Sequence, residues 1–175
     1  MYGSLVALPH LKKQGGALIN VGSEVSEAVV PILGMYSASK HAVKGFTDAL
    51  RLEIERVDKA PVSVTLIQPT AVDTPFDEHA RNYLDKEAKL PSNQIDPQEV
   101  ADAILKAATK PTRDIRVGGM SKLNTFVAKN FPGIADKMTA RQVEDLHRDE
   151  PPRNPEGTLH VPSEDGRVHG DHANA

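Results

Sequence analysis

The chain has 175 residues, a net charge of −3 and a pI near 6.2. That is enough for one domain with a real core, and it gives no electrostatic case for nucleic acid or an anionic membrane. It holds no cysteine, which excludes disulfide frameworks, thiolate metal sites and thiol nucleophiles and fits a reducing compartment.

No apolar run reaches the roughly 18 residues of a membrane span, and no charged segment precedes an apolar stretch at the N-terminus. A cytoplasmic location is therefore expected. Residues Met1 to Lys13 read as the end of a helix, with Leu5, Val6, Leu8 and Leu11 on a partial apolar face and a break at Gly15-Gly16. Ala17-Leu18-Ile19-Asn20-Val21 is apolar on both sides, the signature of a strand buried between helix layers.

Met35 to Val57 carries the longest helical pattern. Ala42, Val43, Phe46, Ala49, Leu50, Ile54 and Val57 recur at steps of three and four and predict a wide core-facing stripe. Pro61 ends it, and Val62 to Ile67 is a second buried strand, closed by Gln68-Pro69. Strand, loop, helix and strand make a parallel crossover with helices on both faces.

The charged segment from Phe76 to Leu90 is helix-compatible but has a poor apolar stripe, which suits either a lid or a plain surface helix. Asp96-Pro97-Gln98-Glu99 opens the next helix as N-cap, N1 proline and capping-box glutamate. Val100, Ala103, Ile104 and Ala107 form its buried face. Asp114 to Val117 is a short third strand, and two helices follow, from Leu123 to Phe131 and from Ile134 to Leu146. Residues 148–175 are rich in Pro, Gly and charge without an aromatic, and are expected to be disordered. His169-Gly170-Asp171-His172 reads as a solvated segment of that tail, with no metal site expected.

Tyr36 and Lys40 stand four apart on the long helix, so their side chains share one face. A phenol ionises near pH 10, and an ammonium one turn away favours the phenolate, which suits proton exchange with a substrate oxygen. The spacing gains specificity from its surroundings. Gly16 to Ser23, then Tyr36-Ser37-Ala38-Ser39-Lys40, then Pro69 to Phe76 resemble the C-terminal half of a short-chain dehydrogenase/reductase. The resemblance runs in register from Met1 to about Leu146, and the step of thirteen residues from Ser23 to Tyr36 matches the family.

The resemblance implies a partial Rossmann-type α/β fold, a doubly wound parallel sheet holding its last three strands, over residues 1–147. It implies an NAD(P)-dependent oxidoreductase that interconverts an alcohol and a ketone or aldehyde. Tyr36 resembles the general acid or base. Lys40 resembles the residue that holds the nicotinamide ribose and favours the Tyr phenolate, and Ser23 the hydroxyl that orients the substrate oxygen. Pro69, Val72 and Thr74 resemble positions that close over the nicotinamide, whereas Thr70 stands where the family usually has Gly. Asn20 is a family-typical strand-end residue with a structural reading. The family's Gly-rich strand–turn–helix is not found in these residues, so the N-terminal dinucleotide-binding half, with its choice of NAD or NADP, is expected to be missing. By itself the chain is expected to be impaired or inactive, and the alternative is a non-catalytic truncated remnant or subunit-pairing module without dinucleotide binding. The expected partners are a small alcohol or carbonyl substrate and a second copy, joined through the helix that begins at Met35.

Overall fold

A computed structural model describes residues 1–90, 93–141, 143–162 and 166–170, the side chains of residues 144 and 145 excepted. Asp171 and His172 lie outside the described residues. Helix α1 (Tyr2–Gln14) leads into β1 (Gly16–Val21), and a 3₁₀ turn, Glu24–Ser26, precedes α2 (Gly34–Leu52). A π-helical turn, Glu53–Asp58, leads to β2 (Val62–Pro69). Short α3 (Phe76–His79), α4 (Pro97–Thr109), β3 (Asp114–Val117), α5 (Gly119–Asn130) and α6 (Pro132–Arg141) follow, and the 3₁₀ turn Val143–Leu146 closes the series.

The three strands form a parallel sheet in the order β1-β2-β3. Gly16 pairs with Val62 and Val21 with Ile67, and Leu66 pairs with Asp114. The alternation of a pleated strand sorts the apolar residues to two faces. On one face Leu18, Val62 and Val64 pack with Leu8 of α1 and Leu50 and Ile54 of the α2 stretch. On the other, Ile19, Ile67, Ile115 and Val117 pack with Val100, Ala103, Ile104 and Ala107 of α4. Helices on both faces of a parallel sheet are the doubly wound arrangement expected from the sequence.

Three expectations need correction. The stripe on α2 is narrower than the apolar residues suggest: Leu50 and Ile54 are buried and Val43 and Phe46 half-buried, but Ala42, Ala49 and Val57 are exposed. Thr47 and Arg51 take core positions instead, because their hydroxyl and guanidinium are hydrogen-bonded there. The segment Phe76 to Leu90 is helical only as far as His79. Beyond that, Asn82 accepts from Leu84 N at 2.9 Å and donates to Lys86 O at 2.8 Å, a local side-chain turn that competes with helix. At α4 the Asp96 side chain accepts from Gln98 N at 2.7 Å, so the cap is made to N2.

The described residues after Arg148 hold no helix or strand. They run across α3 and residues 81–89 with backbone hydrogen bonds between the two segments.

Candidate active site

The candidate residues gather at the carboxyl ends of β1 and β2. Gly22 N donates to Ile67 O at 2.8 Å, which keeps the two strand ends level. Ser23 follows as N-cap of the 3₁₀ turn, with its Oγ accepting from Val25 N at 3.2 Å. Ser26 Oγ accepts in turn from Ser23 N at 3.1 Å. Ser23 is therefore buried and held in place by its own turn.

Between this turn and α2 the chain passes Ile32 at φ 60°. A β-branched side chain is disfavoured in the left-handed region, so the surrounding loop imposes this conformation. Part of the restraint is Ser37, whose Oγ accepts from Val30 N at 3.4 Å.

Tyr36 lies in the first turn of α2 and Lys40 one turn further on, on the same face. Lys40 Nζ sits 5.7 Å from the Tyr36 ring centroid, within cation–π range. It also lies 3.5 Å from Val21 O, at the end of the strand that leads to Ser23. Burial draws the Lys40 pKa down from the ordinary lysine value. The Tyr36 ring meets Phe76 at a centroid distance of 5.8 Å and 52° between planes.

The loop after β2 is fixed by pairing. Val72 bridges Ile95, with Asp73 N to Ile95 O at 3.0 Å and Ile95 N to Ala71 O at 2.9 Å. Pro69 is buried at the strand end, and Val72 and Thr74 are half-buried. Thr70 lies outside the left-handed region. The left-handed backbone is instead at Gly118, φ 89°, where a Cβ would come within 2.6 Å of the Thr70 methyl. The Thr70 hydroxyl bonds Glu24 Oε1 at 3.2 Å, and Asn124 of α5 donates to Glu24 Oε2 at 3.1 Å.

Three contacts thus stitch the predicted motifs together: Lys40 to the end of β1, Tyr36 to Phe76, and Thr70 to Glu24. Among the described residues no hydrogen bond joins Ser23 to Tyr36; they share the edge without touching through their hydroxyls. Asn20 is structural: its Oδ1 accepts from Ser4 at 3.1 Å and its Nδ2 donates to Thr47 at 3.0 Å, tying β1 to both helices of that face.

Sequence reasoning missed Glu24 and Asn124, and it placed Phe76 in a motif without its contact to Tyr36. A carboxylate beside Ser23 was visible as a residue, but its partners come from two distant elements. Among the described residues no group of three or more His, Asp or Glu could hold a metal ion, and no helix is long and apolar enough to cross a membrane.

The family model described as short chain dehydrogenase matches residues 1–85. The uncharacterized oxidoreductase YxnA of Bacillus subtilis is 40% identical over 158 residues, which cover 89% of this chain and 44% of that protein. The uncharacterized oxidoreductase YusZ of the same organism is 31% identical over 150 residues, 73% of this chain and 52% of YusZ. The chain spans about half the length of these curated relatives. Among solved structures, a short chain dehydrogenase from Burkholderia cenocepacia in complex with NADP superposes with a TM-score of 0.64 at 25% identity. That match covers 79% of this chain and 54% of the other.

Proposed function

Because the chain belongs to the short-chain dehydrogenase/reductase family, we propose that it carries the catalytic residues of an NAD(P)-dependent oxidoreductase interconverting an alcohol and a ketone or aldehyde. The observation that carries this reading is the Tyr36–Lys40 pair, stacked one turn apart beside the end of β1.

The donor set suits the nicotinamide end of a dinucleotide. Lys40 brings a partly desolvated ammonium that can bond ribose hydroxyls, and Pro69, Val72 and Thr74 line the loop that would close over the carboxamide. These 175 residues contain no Gly-rich strand–turn–helix for the pyrophosphate, so the fit concerns that end alone and leaves the choice between NAD and NADP open. When bound, the nicotinamide supplies or accepts the hydride.

In the reducing direction Tyr36 Oη gives its proton to the carbonyl oxygen as negative charge develops there. Ser23, pinned by its own turn, donates to the same oxygen and orients it towards Tyr36. Phe76 packs against the Tyr36 ring. In the oxidising direction the proton runs back along the same route.

The test is turnover of small ketones and alcohols, followed by nicotinamide absorbance. In a version completed with a dinucleotide-binding half, Tyr36→Phe is expected to lower kcat by a factor on the order of 10²–10⁴ while cofactor affinity stays the same. A Phe variant as active as that completed version would remove Tyr36 from the reaction.

A second reading is a module that works only when paired with another subunit. It is supported by the outward face of α2, where Ala38, Ala42, Gly45 and Ala49 are all exposed. Met1, Tyr2, Leu5 and Val6 are exposed on and beside α1, and β1 is paired on one side only among the described strands. Cofactor titration combined with light scattering separates the readings: binding only in an associated state supports the second.

A further inference from the structure

Residues after the last 3₁₀ turn read as too polar and too rich in Pro to order themselves, yet residues 146–158 follow the segment 79–89 closely. Lys89 N donates to Leu146 O at 2.9 Å, Arg148 N to Glu87 O at 2.8 Å and Glu87 N to Glu150 O at 2.8 Å. Further along, Asn82 N donates to Pro155 O at 3.0 Å and Thr158 N to His79 O at 3.0 Å. Ala88 and His147 form an antiparallel bridge within this run. Pairing of this kind supplies from outside the hydrogen bonds that residues 80–89 do not make as a helix.

Side chains reinforce the backbone. Glu87 is 9% exposed and its Oε2 accepts from Arg153 N at 2.7 Å, while Asn154 Nδ2 donates to Glu78 O at 3.1 Å. Lys86 pairs with Asp149 at 3.1 Å and Arg81 with Glu156 at 3.4 Å. Gly157, at φ 62°, crosses the other backbone so closely that a Cβ there would stand 2.6 Å from His79 O and 2.7 Å from Arg81 N.

We propose that residues 146–158 form a strap that fixes the segment 76–89, with Glu87 as its clasp and Gly157 at its closest crossing. A strand edge or loop held by several backbone bonds opens as one unit. The segment therefore moves only when the strap releases, and Phe76 at its head carries that movement to the Tyr36 ring. The proposal rests on hydrogen bonding and close approach and stands apart from the oxidoreductase reading.

Amide hydrogen exchange on the full chain tests it. The amides of Asn82, Glu87, Lys89, Arg148 and Thr158 are expected to exchange at least about tenfold more slowly than exposed, unbonded amides. Gly157→Ala and Glu87→Ala should each release these amides together and leave the β2 amides protected. Glu87→Gln, which keeps an acceptor oxygen, should preserve the protection. Exchange at the unstructured rate in the unaltered chain would overturn the strap, as would release of only one or two amides in Gly157→Ala. Should Glu87→Ala also expose β2, Gly157→Ala decides alone, because the three atoms nearest its side chain all belong to the crossing segment.

Discussion

Glu24 shows how one side chain can bind a site together and still cost stability. Its carboxylate accepts from Thr70 and Asn124, and so joins the turn after β1 to the loop after β2 and to α5. Burial raises its pKa above the ordinary carboxylate value, and the Asn124 and Thr70 bonds oppose that shift without cancelling it. A carboxyl with a raised folded-state pKa contributes its full stability below the unfolded pKa and loses it as pH rises through the folded value. The difference in unfolding free energy between the unaltered chain and Glu24→Gln should therefore fall across that window. Denaturant melts at a series of pH values measure it, and a difference that does not change with pH would show that Glu24 is not held ionised at a cost. Ser23, Tyr36 and Lys40 could be singled out in the sequence because their signal is local spacing, while the roles given to them remain a proposal. Glu24 was not, since Asn124 lies 100 residues away and a glutamate in a loop looks the same whether solvated or buried. Thr70 stands where the family usually has Gly and keeps φ outside the left-handed region, and the positive φ sits across from it at Gly118, a position whose need is defined only once the two loops meet.

At the scale of elements, α2 is fastened to the sheet by charge as well as by Leu50 and Ile54. Arg51 is 3% exposed and donates to Val64 O at 2.9 Å and Arg113 O at 3.0 Å, so it satisfies carbonyls of β2 and of the residue before β3. Its charge is balanced by Asp48 at 2.6 Å, which also pairs with Lys44 at 2.7 Å and Arg113 at 2.8 Å. Burial would raise the Asp48 pKa, but hydrogen bonds from Lys44 and Arg51, with the nearby charges, bring it below the ordinary value. Removing the carboxylate leaves a buried guanidinium short of a partner, so Asp48→Ala should cost about 1–3 kcal/mol in a denaturant melt. Because the folded-state pKa is lowered, this stabilisation is present above the unfolded carboxylate pKa and lost as pH falls through the folded one. A variant as stable as the unaltered chain, or a loss independent of acid, would contradict the role. The periodic pattern located this helix but put Ala42, Ala49 and Val57 in the core, because apolarity alone does not reveal that Arg51 and Thr47 hold those inner positions. The strands were easier, their runs being apolar on both faces.

The whole molecule then presents an outward α2 face with an unusual composition for exposed helix. Ala38, Ala42, Gly45 and Ala49 fall along it at steps of three and four, and nothing lies within 4 Å of a Cβ built on Gly45. Small residues in such a row let a second helix approach closely, and the exposed Leu52 at its end adds apolar area. If two copies pair through this face, the unaltered chain should run as a dimer by light scattering at micromolar concentration. Ala42→Arg should then run as a monomer with an unchanged circular dichroism spectrum, since the long side chain has open solvent in the single chain and a steric conflict in the pair. Gly45→Ala supplies the counter-test. On a free helix face it should stabilise the chain by about 0.5–1 kcal/mol through lower backbone entropy in the unfolded state and better helix propensity. On a closely packed face the added methyl should weaken association instead. A monomeric unaltered chain that simply gains stability from Gly45→Ala would show that this face meets only water, and the pairing through α2 would have to be abandoned.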